Sequence, residues 1–226
     1  MARKGNSRHL KSRVAPKYYF VHKKERVFVT KPTAGRHTLN KSISLVVFAR
    51  RVGLAQTSSE ASKMIKRKEL LVNNTPVRDP SYPIGLNDTI NIVPAKQTYR
   101  IGINERGQVS IEKADVAGER LCRIVQKYRT KKGALMIRLH DGTVMAANKD
   151  TNTNDSVVLD NEHGIKKVLK LDKGSRCVVI DGVHVGSTGT VKDIRPGTAT
   201  SQPTVKVEQK SGGEFDTLLK NIMVVE

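Results

Sequence analysis

Apolar residues recur at helical spacing in SISLVVFARRVG, where Ile43, Val46, Val47 and Val52 fall on one face. Gly53 supplies the left-handed residue that ends such a helix. In TSSEASKMIKRKE, Thr57 followed by Glu60 is a capping-box signature that predicts the start of a second helix. Ala61, Met64 and Ile65 make its narrow apolar stripe, with Lys63, Lys66 and Arg67 on the other side. LLVNNTPV reads as a short hairpin turning at Asn73 and Asn74, residue types that tolerate positive φ. A loop from Asp79 to Gly85 contains prolines, and the alternating DTINIV then closes the unit as a strand. The pattern from Ser42 to Val93 is therefore two small helices on a few short strands.

The flanking segments read differently. The first thirteen residues show no apolar periodicity, which predicts an arm without order of its own. From Pro16, YYFVHKKERVFVTKP predicts a strand pair with Lys23 to Arg26 in the turn, and Pro32 and Gly35 break the chain before the first helix. Beyond Ala95 the pattern becomes a succession of strands. TYRIGI and QVSI form one predicted hairpin around Glu105–Gly107, and LCRIVQKYR and ALMIRL form another around Thr130–Gly133. A short helix is expected near Ala114 to Glu119. In KGSRCVVIDGVHVGSTGTVKDIRP, Gly182, Gly186 and Gly189 lie between two strands, where glycine permits tight turns and close backbone approach. No G-K-[ST] follows them, which excludes a P-loop. The tail turns at Gly212-Gly213 and supplies Leu218, Leu219, Ile222, Val224 and Val225 as core.

Charge gives these elements a direction. Lys and Arg number 41 against 21 acids, a formal net charge of +20. Such an excess argues for a polyanionic partner, nucleic acid or an anionic membrane. No apolar run approaches the roughly 18 residues that span a bilayer, and MARKGNSRHLKSR has neither a signal-peptide core nor a glycine at the second position. A membrane partner is disfavoured. Residues 1–40 hold eleven Lys/Arg and one acid, Glu25. From Lys41 to Leu70 there are seven Lys/Arg and two acids, Glu60 and Glu69. A merely solvated helix mixes signs to form i,i+4 pairs, so this one-sided face points to nucleic acid. With no Trp and 4% aromatic residues, stacking on aromatic platforms is not the dominant mode.

Chemistry-bearing residues are sparse. Cys122 and Cys177 show no pairing pattern and are expected as reduced, buried thiols. The six histidines lack ligand spacing, so neither a metal nor any other cofactor is expected. His140 beside Asp141 invites a general-base reading, but Asp141-Gly142 between alternating strands is a strong hairpin signal, and no nucleophile motif accompanies it.

The order helix, TSSEA, basic helix, LLVNNTPV and DPSYPIGLNDTINIV resembles the small S-four-type RNA-binding domain. Its marks are the V-N-x-x-x-V hairpin and the G-x-N-D-x-I-x-I closing strand. RHLKSRVAPKYYF, followed by the TAGRHTL linker, is similar to the start of the small-subunit ribosomal protein family S-four-e in its archaeal form. The family's H-L-K-R-x-x-A-P stretch stands here as HLKSRVAP, with Ser12 in place of a charge and the basic residue moved to Arg13, which is expected to weaken one local contact. LHDGT and FDT match the same family, and the glycine-rich segment resembles the KOW unit of small SH3-like barrels.

The resemblance implies a strand-rich α+β protein: a basic N-terminal arm (1–40), an S-four-type α/β RNA-binding domain (41–94), a central β-rich domain (95–171) and a C-terminal KOW-type, SH3-like β-barrel (172–226). It implies a non-enzymatic constituent of the small ribosomal subunit, cytoplasmic, binding small-subunit rRNA beside neighbouring ribosomal proteins, without a homo-oligomer. An RNA-processing or transcription factor using the KOW and S-four-type units is the alternative. A pseudouridine-synthase-like enzyme would need a catalytic domain of roughly 150 residues, for which there is no room. The residues expected on RNA are Arg3, Lys4, Arg8, His9, Lys11, Arg13 and Lys17 in the arm, and Arg36 in the linker. On the helices they are Arg50, Arg51, Ser58, Ser59, Lys63, Lys66, Arg67 and Lys68.

Overall fold

The structure, a computed structural model, describes residues 7, 9–19, 21–22, 24–114, 119–147, 150–160, 164–198, 200–209 and 212–225. It is strand-rich α+β, and the chain divides into two compact units: residues 1–102 with 108–115, and residues 103–107 with 116–226.

In the first unit, β1 (Leu10–Lys11) pairs antiparallel with β2 (Phe28–Val29). Next come β3 (Ser42–Ser44), α1 (Leu45–Arg51) and α2 (Ser58–Lys66). They are followed by β4 (Leu70–Val72), β5 (Thr75–Pro76), β6 (Pro83–Gly85), β7 (Thr89–Ile92), β8 (Gln97–Ile103) and β9 (Val109–Lys113). One sheet runs β5-β4-β7-β8-β9, and β3 pairs with β6. The core gathers Leu45, Phe48 and Ala49 of α1, Ala61 and Ile65 of α2, and Leu70, Ile90, Ile92 and Ile101 of the sheet, all buried. Each fully buried large side chain contributes about 1.5–3 kcal/mol. The Phe48 and Tyr99 rings meet edge to face at 6.0 Å, a favoured aromatic geometry.

The first helix is shorter than its apolar spacing predicts. Ser42–Ser44 is strand, and Ile43 packs opposite Ile84 of β6. The switch follows from the 80–82 loop, whose Tyr82 and Pro80 carbonyls accept the Leu45 and Val46 N–H groups at 3.0 and 3.1 Å. Those bonds satisfy two donors that the first turn would otherwise leave open. Gly53 ends α1 as expected, at φ +82°.

Two further expectations change in the arm. Lys17–Tyr19 is a 3₁₀ turn with both tyrosines buried, and β2 pairs with β1, so no strand starts at Tyr18. Tyr19 donates its hydroxyl to the Thr30 carbonyl at 2.8 Å, and burial pushes both tyrosine hydroxyls well above their ordinary pKa. Order begins earlier than the sequence pattern implies, since Leu10, Ser12 and Ala15 are buried. Ser12 is thus a small residue in a closed position, while Arg13 beside it is exposed.

The second unit opens with β10 (Arg120–Arg129), β11 (Leu135–Leu139), β12 (Val144–Ala146), β13 (Ser156–Leu159) and β14 (Ile165–Leu169). It continues with β15 (Arg176–Val179), β16 (Thr188–Arg195), β17 (Thr204–Gln209), β18 (Glu214–Leu218) and β19 (Ile222–Val224). They form two antiparallel sheets, β12-β11-β10-β13-β14 and β18-β17-β16-β15-β19. Cys122, Ile124, Ile137, Leu139, Val157 and Leu159 make one core, and Cys177, Val191, Val205, Val207 and Ile222 the other. Both cysteines are free and buried, and burial pushes the Cys177 thiol up to about 11. In the tail Ile222 and Val224 are buried, whereas Leu218, Leu219 and Val225 are only half-buried. The two sheets are tied by the Val224 N–H donating to Ser156 Oγ at 3.0 Å, and by Arg123, whose guanidinium donates to the Lys220 carbonyl and to Asn154 Oδ1. Burial pulls the Arg123 guanidinium down to about 10.

The hairpin turn at His140–Thr143 is as expected. Asp141 accepts from the Thr143 N–H at 2.9 Å and from the buried Arg120 guanidinium at 2.9 Å, and His140 Nδ1 accepts the Arg123 N–H at 3.2 Å. Burial alone would raise the Asp141 carboxyl, but Thr143, Arg120 and His140 together hold it below the usual carboxylate range. The helix expected near 114–119 falls largely on residues outside those described.

Candidate nucleic-acid interface

The candidate interface is built on α1, α2 and the arm of the first unit. Thr57 starts α2: its Oγ1 accepts the Glu60 N–H at 3.2 Å, and the Glu60 carboxylate accepts the Gln56 N–H at 3.0 Å. Together they cap the start of the helix, the Glu60 carboxylate reaching one residue beyond the capping-box position. Ala61 and Ile65 then turn inward, while Ser58, Ser59, Lys63, Lys66 and Arg67 lie exposed. Met64 is half-buried, so it borders the stripe that the sequence placed it on. Both helices end in the same motif. The Gly53 and Leu54 N–H groups donate to the Arg50 and Ala49 carbonyls, and those of Lys68 and Glu69 to Ile65 and Met64. Lys68 takes φ +62° to do so, a conformation more usual for glycine. Arg67 forms an ion pair with Glu69 at 3.9 Å on the surface. An exposed pair of that kind is worth little.

A buried polar network holds the sheet under the helices. Asp88 accepts from Asn73 Nδ2 at 2.8 Å and from the Gly85 N–H at 2.9 Å, and lies 2.9 Å from His37 Nε2. Asn73 sits in the turn at φ +48° and accepts the Thr89 N–H at 3.0 Å, so one side chain makes the turn and laces it to β7. Burial alone would raise the Asp88 carboxyl, yet His37, Asn73 and Gly85 together hold it below the usual range. Position 85 has no room for a side chain, since a Cβ there would lie 2.4 Å from the His37 ring.

Of the residues expected on RNA, Arg50 is half-buried and Arg51 exposed at the C-terminal end of α1, where partial burial lowers the Arg51 guanidinium pKa. Both, with Ser58, line a cleft of about 310 Å³ whose other wall comes from Val21, His22, Glu25, Arg26 and Phe28 to Thr30 of the arm. Lys63, Lys66, Arg67 and Lys68 sit on the exposed side and beyond the end of α2 and do not line that cleft. His9, Lys11, Arg13 and Lys17 are exposed on the arm, and Arg36 is half-buried. Arg3, Lys4 and Arg8 lie outside the described residues. The cleft also contains His22, Glu25, Arg26 and Phe28, which the sequence pattern did not mark. Nothing local announces them, because they meet α1 only after the arm folds back.

Three family models match successive segments: the RS4NT (NUC023) domain over residues 4–40, the S4 domain over 44–90, and the Ribosomal family S4e over 95–165. The small ribosomal subunit protein eS4 of Methanococcus vannielii is 30% identical over all of this chain and 96% of its own length. That of Methanocella arvoryzae is 32% identical over 96% of this chain and 93% of its own. The crystal structure of the 30S ribosomal protein S4e from Thermoplasma acidophilum shares the fold with a TM-score of 0.69 at 22% identity, covering 82% of this chain and 95% of that one. Identity sustained over nearly the full length of both chains shows that this protein belongs to the ribosomal family S4e, the S-four-e family.

Proposed function

We propose that the chain is a non-enzymatic, structural constituent of the small ribosomal subunit, working in the cytoplasm, and that it binds small-subunit rRNA through the basic helices and the arm. The observation that carries this reading is the exposed, cation-rich face of α2, capped at Thr57, on a chain that is similar from end to end to small-subunit proteins. Lys63, Lys66, Arg67 and Lys68 bind phosphates as point charges or forks, and Ser58 and Ser59 add hydroxyl and backbone donors at the helix start. His9, Lys11, Arg13, Lys17 and Arg36 extend the contact along the arm and linker, and Arg3, Lys4 and Arg8 belong to the same assignment.

The functional segments in this reading are the arm (1–40), the RNA-binding domain (41–94), a central β domain (95–171) and a KOW-type, SH3-like domain (172–226). The last is supported by the sheet β18-β17-β16-β15-β19 and the glycine-bearing loop between β15 and β16. Neighbouring small-subunit proteins are the expected protein partners, and the chain acts as a single copy. His140 and Asp141 serve the hairpin turn, which supports a structural role for LHDGT.

Titration against a small-subunit rRNA fragment at several salt concentrations tests the interface. Removing one phosphate-binding cation reduces the salt slope by about 0.7–0.9. Lys63→Ala and Lys66→Ala are expected to weaken binding and flatten the slope by that amount each, with the fold intact. Unchanged affinity and slope would mean that this face is only solvated.

A further inference from the structure

We propose that the cleft between the arm and the C-terminal end of α1 receives the base of one unpaired RNA nucleotide, turned out of its stack. The inference rests on the RNA-binding reading and adds a subsite to it. At about 310 Å³ the cleft lies at the small end of ligand sites, which run from about 300 to 1,000 Å³. That admits a nucleoside and excludes a helix of protein or nucleic acid.

Its lining combines two chemistries. Val21, Val29, Val47 and Phe28 supply apolar surface, and Arg26, Arg50 and Arg51 supply cations. Phe28 is 54% exposed although it sits in a strand, in a chain with four phenylalanines and no tryptophan. Arg50 carries a buried Nε without a hydrogen-bond partner among the described residues, and a group left in that state is costly until an acceptor arrives. A bare phosphate has no use for the apolar side chains, and an apolar peptide has none for three arginines. A nucleotide uses both, with its flat face on the ring and its phosphate on the guanidinium groups.

Glu25 sets the preference among bases. It lines the cleft and is the one acid in residues 1–40. A carboxylate repels phosphate, but its two oxygens accept paired N–H donors. Guanine presents N1–H and N2–H side by side, so guanine is the favoured occupant.

The test uses the full chain with fluorescently labelled ribonucleotides UUGUU and UUUUU and a short RNA duplex. The wild type is expected to bind UUGUU more tightly than UUUUU. Phe28→Ala should weaken both single strands by about 5- to 150-fold, the range for removal of one base–aromatic stack. It should leave the duplex unchanged, which also shows that the variant is folded. Glu25→Gln should abolish the preference for UUGUU. If Phe28→Ala affects single strand and duplex alike, or neither, the cleft is no base site. If Glu25→Gln tightens every RNA equally, Glu25 is only a repulsive charge and the guanine assignment falls. Wild-type protein that binds no RNA at all would remove the RNA-binding reading itself, whereas a silent Phe28→Ala with wild-type binding intact removes only the cleft.

Discussion

Asp88 shows how much of the first unit depends on one side chain. It is buried among His37, Asn73 and the Gly85 N–H. Removing one member of such a set leaves the others desolvated without a partner, at a cost of about 3–5 kcal/mol. Asp88→Ala is therefore expected to lower the protection of β4 and β7 amides in hydrogen exchange by that amount, with the second unit unaffected. The pH dependence has a definite sign. Because the native carboxyl is held below its ordinary value, its stabilisation is complete above the unfolded carboxylate pKa of about 3.9. It is lost as pH falls through the lower native value. Acid unfolding of the first unit should thus begin below about pH 4 and be much weaker in Asp88→Asn, a difference that circular dichroism across pH 2–6 would show. Part of this network was legible in the sequence. Asn73 and Asn74 declared a turn because their side chains and backbone preferences act locally. That Asn73 would also reach Asp88, or that His37 would close the set from across the linker, depends on packing and leaves no local mark.

At the scale of elements, boundaries followed the same division. The start of α2 could be read because Thr57 and Glu60 bond to neighbours in sequence. The start of α1 could not, because its first N–H groups are capped by carbonyls of the 80–82 loop and Ile43 is drawn into a strand opposite Ile84. The buried 3₁₀ turn at Lys17–Tyr19 and the β1–β2 pair were hidden for the same reason. The end of α2 yields a prediction that separates stability from binding. Lys68 occupies a left-handed position at φ +62°, which costs a side-chain-bearing residue about 1–2 kcal/mol. Lys68→Gly should relieve part of that strain and raise the denaturant midpoint of the first unit, while lowering rRNA affinity by removing a cation. A fall in both would mean that Lys68 is favoured where it stands.

For the molecule as a whole, the excess of cations governs the reading. A formal charge of +20 on 226 residues opposes compaction and favours a polyanion as partner, and the exposed cations of α2 and the arm are the surface proposed for that partner. The charge and the strand-rich α+β class were both legible without coordinates. The cleft was not, because it exists only once arm residues such as Glu25 and Phe28 lie against Val47, Arg50 and Arg51. Whether this chain is a constituent of the small ribosomal subunit is decided by sedimentation. A tagged full-length chain, expressed in its native cells, is followed through a sucrose gradient at high salt, where weak electrostatic association is screened. It should migrate with the small subunits and stay there as salt rises. Recovery at the top of the gradient, or with particles other than small subunits and the ribosomes that contain them, would contradict it.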